Sequence, residues 1–166
     1  MCSEKLNLAS LFFQNDIFVK KRMSLKKLLE EKGYHRIKMK FTKTNHLEVV
    51  AKINNIEGNF ILDTGASSTC VGIESIEHFD LLSEDSDVKA AGAGATNMVT
   101  QISQKNHLEI NKWSKKKVDL VLFDLKHVNE ALVNHKAEKV HGIIGADILK
   151  KGKAVIDYKG KALYLK

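Results

Sequence analysis

The stretch Phe60-Ile61-Leu62-Asp63-Thr64-Gly65-Ala66-Ser67 sets one carboxylate between a run of apolar residues and a Thr-Gly turn. The three apolar residues predict a buried strand that ends at Asp63. Gly65 allows a sharp turn and a close approach by another group. Because a carboxylate at the end of a buried strand is costly to remove from water, its presence there indicates a functional role for Asp63.

The residues before this stretch predict a β-hairpin. From Arg36 onward, apolar residues alternate with polar ones with the period of two that is typical of strands. The alternating apolar positions are Ile37, Met39 and Phe41, and then Leu47, Val49, Ala51 and Ile53. Residues 54–58 are expected to form a turn, and residues 59–63 the return strand that carries Asp63.

The residues after Asp63 predict a second hairpin, at residues 88–102. Its expected tip, residues 90–95, contains only small side chains, which makes a strand pair flexible and able to lie close to another backbone. Before it, residues 73–82 are expected to form a short helix or a turn, and the acidic residues Glu84, Asp85 and Asp87 a solvated loop. The remaining expected elements are strands 107–111 and 117–123 joined by residues 112–116, a short helix at 128–135, a buried strand running into a helix at 141–149, and a hairpin of residues 154–158 and 161–165.

Three motifs in the chain together resemble the retropepsin-like aspartic proteases, in particular their small, single-motif bacterial members. They are Asp63-Thr64-Gly65-Ala66-Ser67, the Gly-rich segment Gly92-Ala93-Gly94, and Ile143-Ile144-Gly145 followed by a predicted helix. The resemblance covers roughly residues 35–166 and follows the order of the family. It implies a mostly all-β, retropepsin-like barrel or sandwich with one or two short helices.

The resemblance also implies a role for each matching residue. Asp63 is expected to be the catalytic acid and base, Thr64 to grip the partner's loop, and Gly65 to give substrate access to the backbone. Ala66 and Ser67 are expected to line the cleft, and Ser67 departs from the carboxylate common in retroviral enzymes. A flap of Gly92, Ala93 and Gly94 is expected to cover the substrate, and Ile143, Ile144 and Gly145 to support the catalytic loop from below.

The chemistry of such a site requires two carboxylates. When they lie about 3 Å apart they share one proton, so that the charged member takes a proton from water while the neutral member donates to the scissile carbonyl. The chain contains a single Asp-Thr-Gly. Asp147 is interpreted as a helix N-cap, and neither Asp157, Asp119 nor Asp124 has the Thr-Gly context.

The second carboxylate is therefore expected from a second copy of the chain. This predicts a two-fold symmetric homodimer in which the two Asp63 side chains meet on the axis. By resemblance to the family, the last strand, around residues 162–165, and the N-terminal strand are expected to form the interface.

The positive charge is confined to the N-terminal quarter. Residues 1–45 hold 11 Lys and Arg against 4 Asp and Glu, whereas residues 46–166 hold 16 of each, so the net charge of +7 belongs to the first 45 residues. Residues 1–34 are interpreted as a basic, partly helical arm, with a helix at 25–32 capped by Ser24 and ended by Gly33, and residues 35–166 as the protease-like domain. Residues 1–22 are expected to be dispensable. Since no nucleic-acid motif accompanies the charge, a solvated arm is favoured over a site for nucleic acid or another acidic partner.

No metal, cofactor or membrane is expected. The two cysteines, Cys2 and Cys70, make neither a disulfide framework nor a metal site, and Cys70 is interpreted as a small buried apolar residue. No stretch reaches the ~20 apolar residues of a membrane span. The basic residues 20–22 follow the short apolar piece 11–19 instead of preceding it as in a secretory signal, so a cytoplasmic location is expected.

These observations predict a homodimeric, metal-independent aspartic endopeptidase that acts on peptides or proteins. Two other functions stay open at this point. One is a retropepsin-like dimer that binds peptides with slow chemistry, suggested by the small flap residues and by Ser67. The other is a protein that binds nucleic acid or another acidic partner through its basic arm.

Overall fold

The computed structural model describes residues 23–92 and 95–166, with the side chains of all of these except 86–92 and 95–99. The prediction that residues 1–22 are dispensable and the flap roles of Ala93 and Gly94 lie outside the described residues. Helices in this part of the chain are α1 (Leu25–Glu31), α2 (Lys126–Asn134) and α3 (Ala146–Lys151). The strands are β1 (His35–Lys38), β2 (Lys40–Phe41), β3 (Leu47–Ile53), β4 (Ile56–Leu62), β5 (Cys70–Gly72), β6 (Glu84–Gly92), β7 (Ala95–Ile110), β8 (Trp113–Phe123), β9 (Gly142–Ile144), β10 (Val155–Asp157) and β11 (Ala162–Leu165).

The hairpin β3–β4 delivers the chain to Asp63. Its register runs without a break from Ile53 opposite Ile56 to Leu47 opposite Leu62. Asn54 and Asn55 make the turn with φ angles of 52° and 72°. Asn tolerates this left-handed conformation, which a tight two-residue hairpin requires. The turn is therefore shorter than the five residues expected from the sequence.

Six strands close into a barrel. The order β3-β4-β9-β5-β8-β7 returns to its start because β3 also pairs with β7, through Lys52 with Glu109 and Ile53 with Leu108. The β4–β9 and β5–β8 pairs are parallel, and β2 and β6 extend the sheet at its ends. The prediction of a mostly β fold with few, short helices is confirmed.

Side chains on β4 alternate between two faces, and this alternation positions the site. Phe60 and Leu62 point into the main barrel core, together with Val49, Val71 and Leu122. Ile61, between them, packs instead with Leu132 and Val140 in a separate cluster. Since strand side chains alternate strictly, Asp63 belongs to the same face as Ile61.

A second, three-stranded sheet has the order β1-β11-β10. Helix α1 covers it by packing Leu29 against Ala162 and Tyr164. The predicted capping is confirmed, since Ser24 Oγ accepts a hydrogen bond from the Lys27 backbone N–H at 3.3 Å. Met39 separates β1 from β2, so the single alternating segment expected at residues 37–41 is shared between two sheets.

The strand β11 lies in the middle of this sheet. It pairs with β1 on one side and with β10 on the other, and all four of its residues are buried. Residues 162–165 therefore have no free backbone edge to pair with a strand of a second copy, and the expectation that they lie at a dimer interface stays a prediction. The N-terminal strand β1 still has one edge without a strand partner among the described residues.

Two predicted connections are strands instead. Glu84 and Asp85 begin β6, paired with Ile102 and Gln101, and Asp87 continues the strand, so the acidic segment is not a loop. Acidic side chains suit such an edge strand because they stay in water while the backbone pairs. Residues 113–116 belong to β8 and do not form the link that was expected at residues 112–116. The turn between β7 and β8 is tighter, and Asn111 adopts a φ angle of 56° in it. The stretch 73–82 holds a short 3-10 helix at Ile73–Ser75.

No helix within residues 23–92 and 95–166 is long and apolar enough to cross a membrane.

His141 holds the start of β9 against β4. Its backbone N–H donates to Asn59 O at 2.8 Å, and its Nδ1 accepts the Asn59 backbone N–H at 3.1 Å. The ring stacks on His78, with centroids 4.7 Å apart, and meets the edge of Phe79 at 5.6 Å. Burial, followed by the neighbouring His78, lowers the pKa of His141, while the backbone of Asn59 and the carboxylate of Glu74 partly oppose this shift.

Protonation of His141 is expected to destabilise the fold. Because its folded pKa lies below the unfolded value of about 6.5, the unfolded chain binds the proton more readily, so stability is lost as the pH falls below that value. A cationic ring also has no lone pair to accept the Asn59 N–H. We expect the urea midpoint to fall between pH 7.5 and pH 5.5 in the unmodified protein.

The fall in the urea midpoint should be smaller in His141→Asn, because the side-chain oxygen of Asn can accept the Asn59 N–H in place of Nδ1 and does not titrate. His127→Asn is the matched control, because the side chain of His127 is 93% exposed. An equal loss of stability in the unmodified protein and in His141→Asn would contradict the role assigned to His141.

Candidate active site

Asp63 continues the β4 ladder by one residue. Its backbone N–H donates to Ile144 O of β9 at 3.1 Å. Its Oδ1 then accepts the Gly65 N–H at 2.8 Å, which closes a turn between the carboxylate and the backbone two residues on. The carboxylate position is thus set by a strand on one side and by its own turn on the other.

The loop that follows Asp63 is open to solvent. Asp63, Thr64, Gly65 and Ser67 are exposed and Ala66 is half-buried. The inference that Asp63 is costly to hold because it is buried is therefore wrong for a single chain, since the strand is buried and the carboxylate is not. Any desolvation of the acid must come from a molecule that covers this loop.

The junction of β9 and α3 clamps the loop from the inside. Ala66 O accepts the Ala146 N–H at 2.8 Å. The hydroxyl of Thr69, which is fully buried, accepts the Gly145 N–H at 3.0 Å and donates to Asp147 Oδ1 at 2.8 Å. A Cβ on Gly145 would lie 2.6 Å from the Ser68 backbone, so only glycine fits this approach.

The structure thus places Ile144 and Gly145 directly against the candidate loop, and Ile143 beside Ile61 in the β4–β9 register. The interpretation of Asp147 as an N-cap is wrong, because the cap position of α3 is Gly145 and Asp147 lies in the first turn. Its carboxylate binds the Thr69 hydroxyl instead. Sequence reasoning missed Thr69, although a hydroxyl residue directly before the apolar Cys70-Val71 was a signal for a buried polar contact.

The remaining aspartates considered as second carboxylates accept backbone N–H groups, two of them in local turns and one, Asp119, from the neighbouring strand β7. Asp119 Oδ1 accepts the Lys105 N–H at 3.0 Å, Asp124 Oδ1 the Lys126 N–H at 2.7 Å, and Asp157 Oδ1 the Gly160 N–H at 2.8 Å. Such contacts explain their positions without a catalytic role. Among the described residues, no three His, Cys, Asp or Glu side chains are grouped as metal ligands would be.

Cys70 is confirmed as a small buried residue. It is 4% exposed. Burial raises the pKa of its thiol to about 12, with smaller contributions from the carboxylates of Asp147 and Asp63, whereas the hydrogen bond from the Ile143 backbone lowers it. A thiol with so high a pKa stays protonated at neutral pH and is a poor nucleophile. Cys70 is therefore a poor candidate for a reactive group beside the Asp63 loop.

The flap segment is the end of the β6–β7 hairpin. Gly92 pairs with Ala95, and the register shifts between Ser86 and Ala90 and again between Ala90 and Gly92. These irregularities weaken the pairing toward the tip and increase the twist of the ribbon. Of the three predicted flap residues, only the backbone of Gly92 lies within the described part of the chain.

The family profile described as aspartyl protease matches residues 49–148. This chain belongs to the aspartyl protease family. The match to the aspartyl protease profile includes most of β3, the Asp63 loop, the β6–β7 hairpin and the β9–α3 junction, which are the parts that build the candidate site.

One solved structure of an aspartic protease shows the same fold, and two further structures are less similar. A retropepsin-like aspartic protease from Rickettsia conorii superposes with a TM-score of 0.54 at 18% identity, over 80% of this chain and 89% of that one. The retroviral protease-like domain of Ddi1 from Leishmania major has a TM-score of 0.49 at 17% identity, over 76% and 90% of the two chains. The EIAV protease in complex with an inhibitor has a TM-score of 0.48 at 18% identity, over 63% and 86%. None of the curated protein sequences matches this chain. The retropepsin-like fold expected from the three motifs is confirmed.

Removing the acceptor of the Thr69 hydroxyl is expected to loosen the candidate loop. Asp147→Ala leaves this buried hydroxyl without its carboxylate, and an unsatisfied buried polar group costs roughly 1–3 kcal/mol. We expect a lower unfolding free energy by denaturant titration, with faster amide hydrogen exchange at Gly145 and in residues 64–68.

Asp147→Asn keeps an oxygen acceptor and should lose less stability than Asp147→Ala. Ser68→Ala, at an exposed hydroxyl in the same loop, serves as the control and should stay close to the unmodified protein. If all three variants were as stable as the unmodified protein, the Thr69–Asp147 contact would contribute nothing to the loop.

Proposed function

We propose that the protein is an aspartic endopeptidase that hydrolyses peptide bonds as a homodimer, with one Asp63 from each subunit. The observation that carries this proposal is the exposed Asp63 carboxylate, held at a strand end by Ile144 and Gly65 in a chain of the aspartyl protease family. Membership of the family supports a protease type of function. The dimer, the paired acids and the residue roles are inferences from the site.

The exposure of the Asp63 loop supports the dimer. A single carboxylate cannot act as both acid and base in one step. Two Asp63 groups brought together on a two-fold axis would share a single proton, because like charges at short range cannot both ionise. Thr64, which is also exposed, is available to contact the partner's loop and hold the two acids in line.

In the proposed reaction, the ionised Asp63 takes a proton from water as the water oxygen attacks the scissile carbonyl. The protonated Asp63 of the other subunit donates its proton to the carbonyl oxygen, which forms a neutral gem-diol. The gem-diol then collapses, with one acid taking a hydroxyl proton and the other protonating the leaving amine. Ala66, Ser67 and the Gly92 hairpin would line the substrate, and the hairpin would exclude water. No metal or cofactor takes part in these steps.

Replacing the acid by its amide is the direct test. Asp63→Asn keeps the shape of the side chain but cannot take a proton from water, so we expect cleavage of a peptide library to fall by roughly 10³-fold or more, with the oligomeric state unchanged. Asp80→Asn is the matched control, because Asp80 is exposed and its φ of 51° suits Asn equally well.

Mass spectrometry of the digests and light scattering give the two readouts. Equal cleavage by Asp63→Asn and the unmodified protein would overturn the proposal. A stable dimer without cleavage would favour the alternative, a retropepsin-like module that binds peptides.

A subunit-mixing experiment tests whether each dimer needs two acids. If unmodified and Asp63→Asn subunits exchange freely at equal amounts, about a quarter of the dimers retain two Asp63 groups, so activity should fall to about a quarter of that of the same total amount of unmodified protein. Mixing with Asp80→Asn subunits should leave the activity at its full value. A fall only to one half would mean that each subunit acts alone.

A further inference from the structure

An open groove of about 780 Å³ lies between helix α2 and the turn that follows β5. The helix lines it with Lys126, Asn129, Glu130 and Val133, whose spacing of three and four residues places them on one helical face. The turn at Ile73–Ser75 and residues 140–141 line much of the rest. The volume falls within the range of roughly 300–1,000 Å³ that is typical of ligand sites.

This groove is separate from the candidate active site. His141 lines it just before β9 begins, whereas Asp63 contacts Ile144 at the other end of that strand. Three residues of extended strand span about 10 Å. None of residues 63–67 lines the groove, so a ligand bound there does not occupy the Asp63 loop.

Glu74 presents a fixed carboxylate to the groove. Its Oε1 accepts the Asn129 side-chain N–H at 3.1 Å. Asn129 is 6% exposed, accepts the Val140 N–H at 2.8 Å and donates to Val140 O at 3.1 Å, so its amide is fully used. The carboxylate also lies over Gly72, where a Cβ would stand 2.8 Å from both oxygens. No hydrogen bond within the described chain uses Glu74 Oε2, which is left to bind a ligand.

The charges of the groove favour a cation. Its charged side chains are the carboxylates of Glu74, Asp124 and Glu130 and the ammonium groups of Lys126 and Lys139. Within the described chain, the only ion pair that involves any of these five is the exposed contact of Glu130 with His127 at 3.9 Å. The lysines therefore do not neutralise the acids by direct pairing, and the carboxylates outnumber them.

The cation that fits is organic and carries an apolar stem. Among residues 23–92 and 95–166, no three His, Cys, Asp or Glu side chains converge as metal ligands would, so the acids are spread along the groove. Ile73 and Val133, which also line it, are 42% and 47% exposed. The side chain of an arginine has an apolar stem that can cover such residues and a charged head that can reach a carboxylate. Its planar guanidinium can contact both oxygens of a fixed carboxylate, which the point charge of a lysine cannot.

We propose that the groove between α2 and Ile73–Ser75 is a second binding site, which takes an arginine side chain of a peptide or protein. Glu74 pairs with the guanidinium, and Ile73 and Val133 cover the stem. The site holds its partner away from Asp63, so it goes beyond the proposed protease function and does not depend on it.

A short peptide tests the site directly. The probe is Ala-Ala-Arg-Ala-Ala with both ends blocked, titrated into the full chain carrying Asp63→Asn so that the peptide stays intact. We expect saturable changes in the NMR shifts of the amides of residues 73–75 and 139–141, and none at residues 63–67. The same peptide with citrulline, which keeps the shape of arginine without its charge, should leave all of these amides unchanged.

Glu74→Gln removes the charge but keeps an oxygen for Asn129, so α2 stays in place. We expect it to weaken binding of the arginine peptide by roughly 10-fold or more, as loss of a hydrogen bond to a charged group does. Glu77→Gln is the matched control, because Glu77 is exposed, lies three residues further on and does not line the groove. Its affinity should equal that of the parent chain.

Val133→Lys supplies an independent variant at an exposed position, in case Glu74→Gln does not fold. It places a cation beside the site and should also weaken binding of the arginine peptide.

The results that would overturn the site are distinct from those that bear on the protease. Equal binding of the arginine and citrulline peptides, equal affinity of the folded Glu74→Gln chain and its parent, or shift changes confined to residues 63–67 each overturn it. The absence of saturable shifts at millimolar peptide also overturns it. None of these results depends on cleavage, which is decided by comparing Asp63→Asn with the unmodified protein.

Discussion

The site depends on one buried hydroxyl. The Thr69 hydroxyl accepts a hydrogen bond from the Gly145 N–H and donates one to Asp147 Oδ1, so a single side chain joins the end of the Asp63 loop to the junction of β9 and α3. The loop itself is exposed and has little apolar contact of its own. Without this buried link, backbone contacts of Asp63, Ala66 and Thr69 would remain to fix the loop on the barrel. A completely satisfied polar contact in a dry environment restrains geometry more strongly than the same contact in water.

The rest of the barrel positions that link. The parallel pairing of β4 with β9 brings Ile144 level with Leu62, so the strand end that carries Asp63 and the turn that carries Gly145 meet at one edge. Gly145 is required because the Ser68 backbone passes within 2.6 Å of where a Cβ would stand. His141 sets the other end of β9 through Asn59. The catalytic chemistry proposed for Asp63 thus relies on a short strand that is fixed at both ends.

The face of β4 that carries Ile61 also explains why helix α2 packs against this strand. Ile61 and Ile143 are apolar and point away from the main core, so they need a cover. Helix α2 supplies Leu132 for this purpose.

Much of the fold could be predicted from the sequence because its signals are local. Alternation at Leu47–Ile53, the Ser24 cap and the Asp-Thr-Gly turn each depend on neighbouring residues, and the sequence by itself determined the hairpins, helix α1 and the family resemblance. Only the tertiary structure decided that Asp147 binds Thr69, 78 positions away, that Glu84 joins a strand, and that both edges of β11 are used within the chain. These outcomes depend on which backbone groups find partners across the closed barrel. No local pattern of residues encodes that choice, because the partner lies far away in the chain.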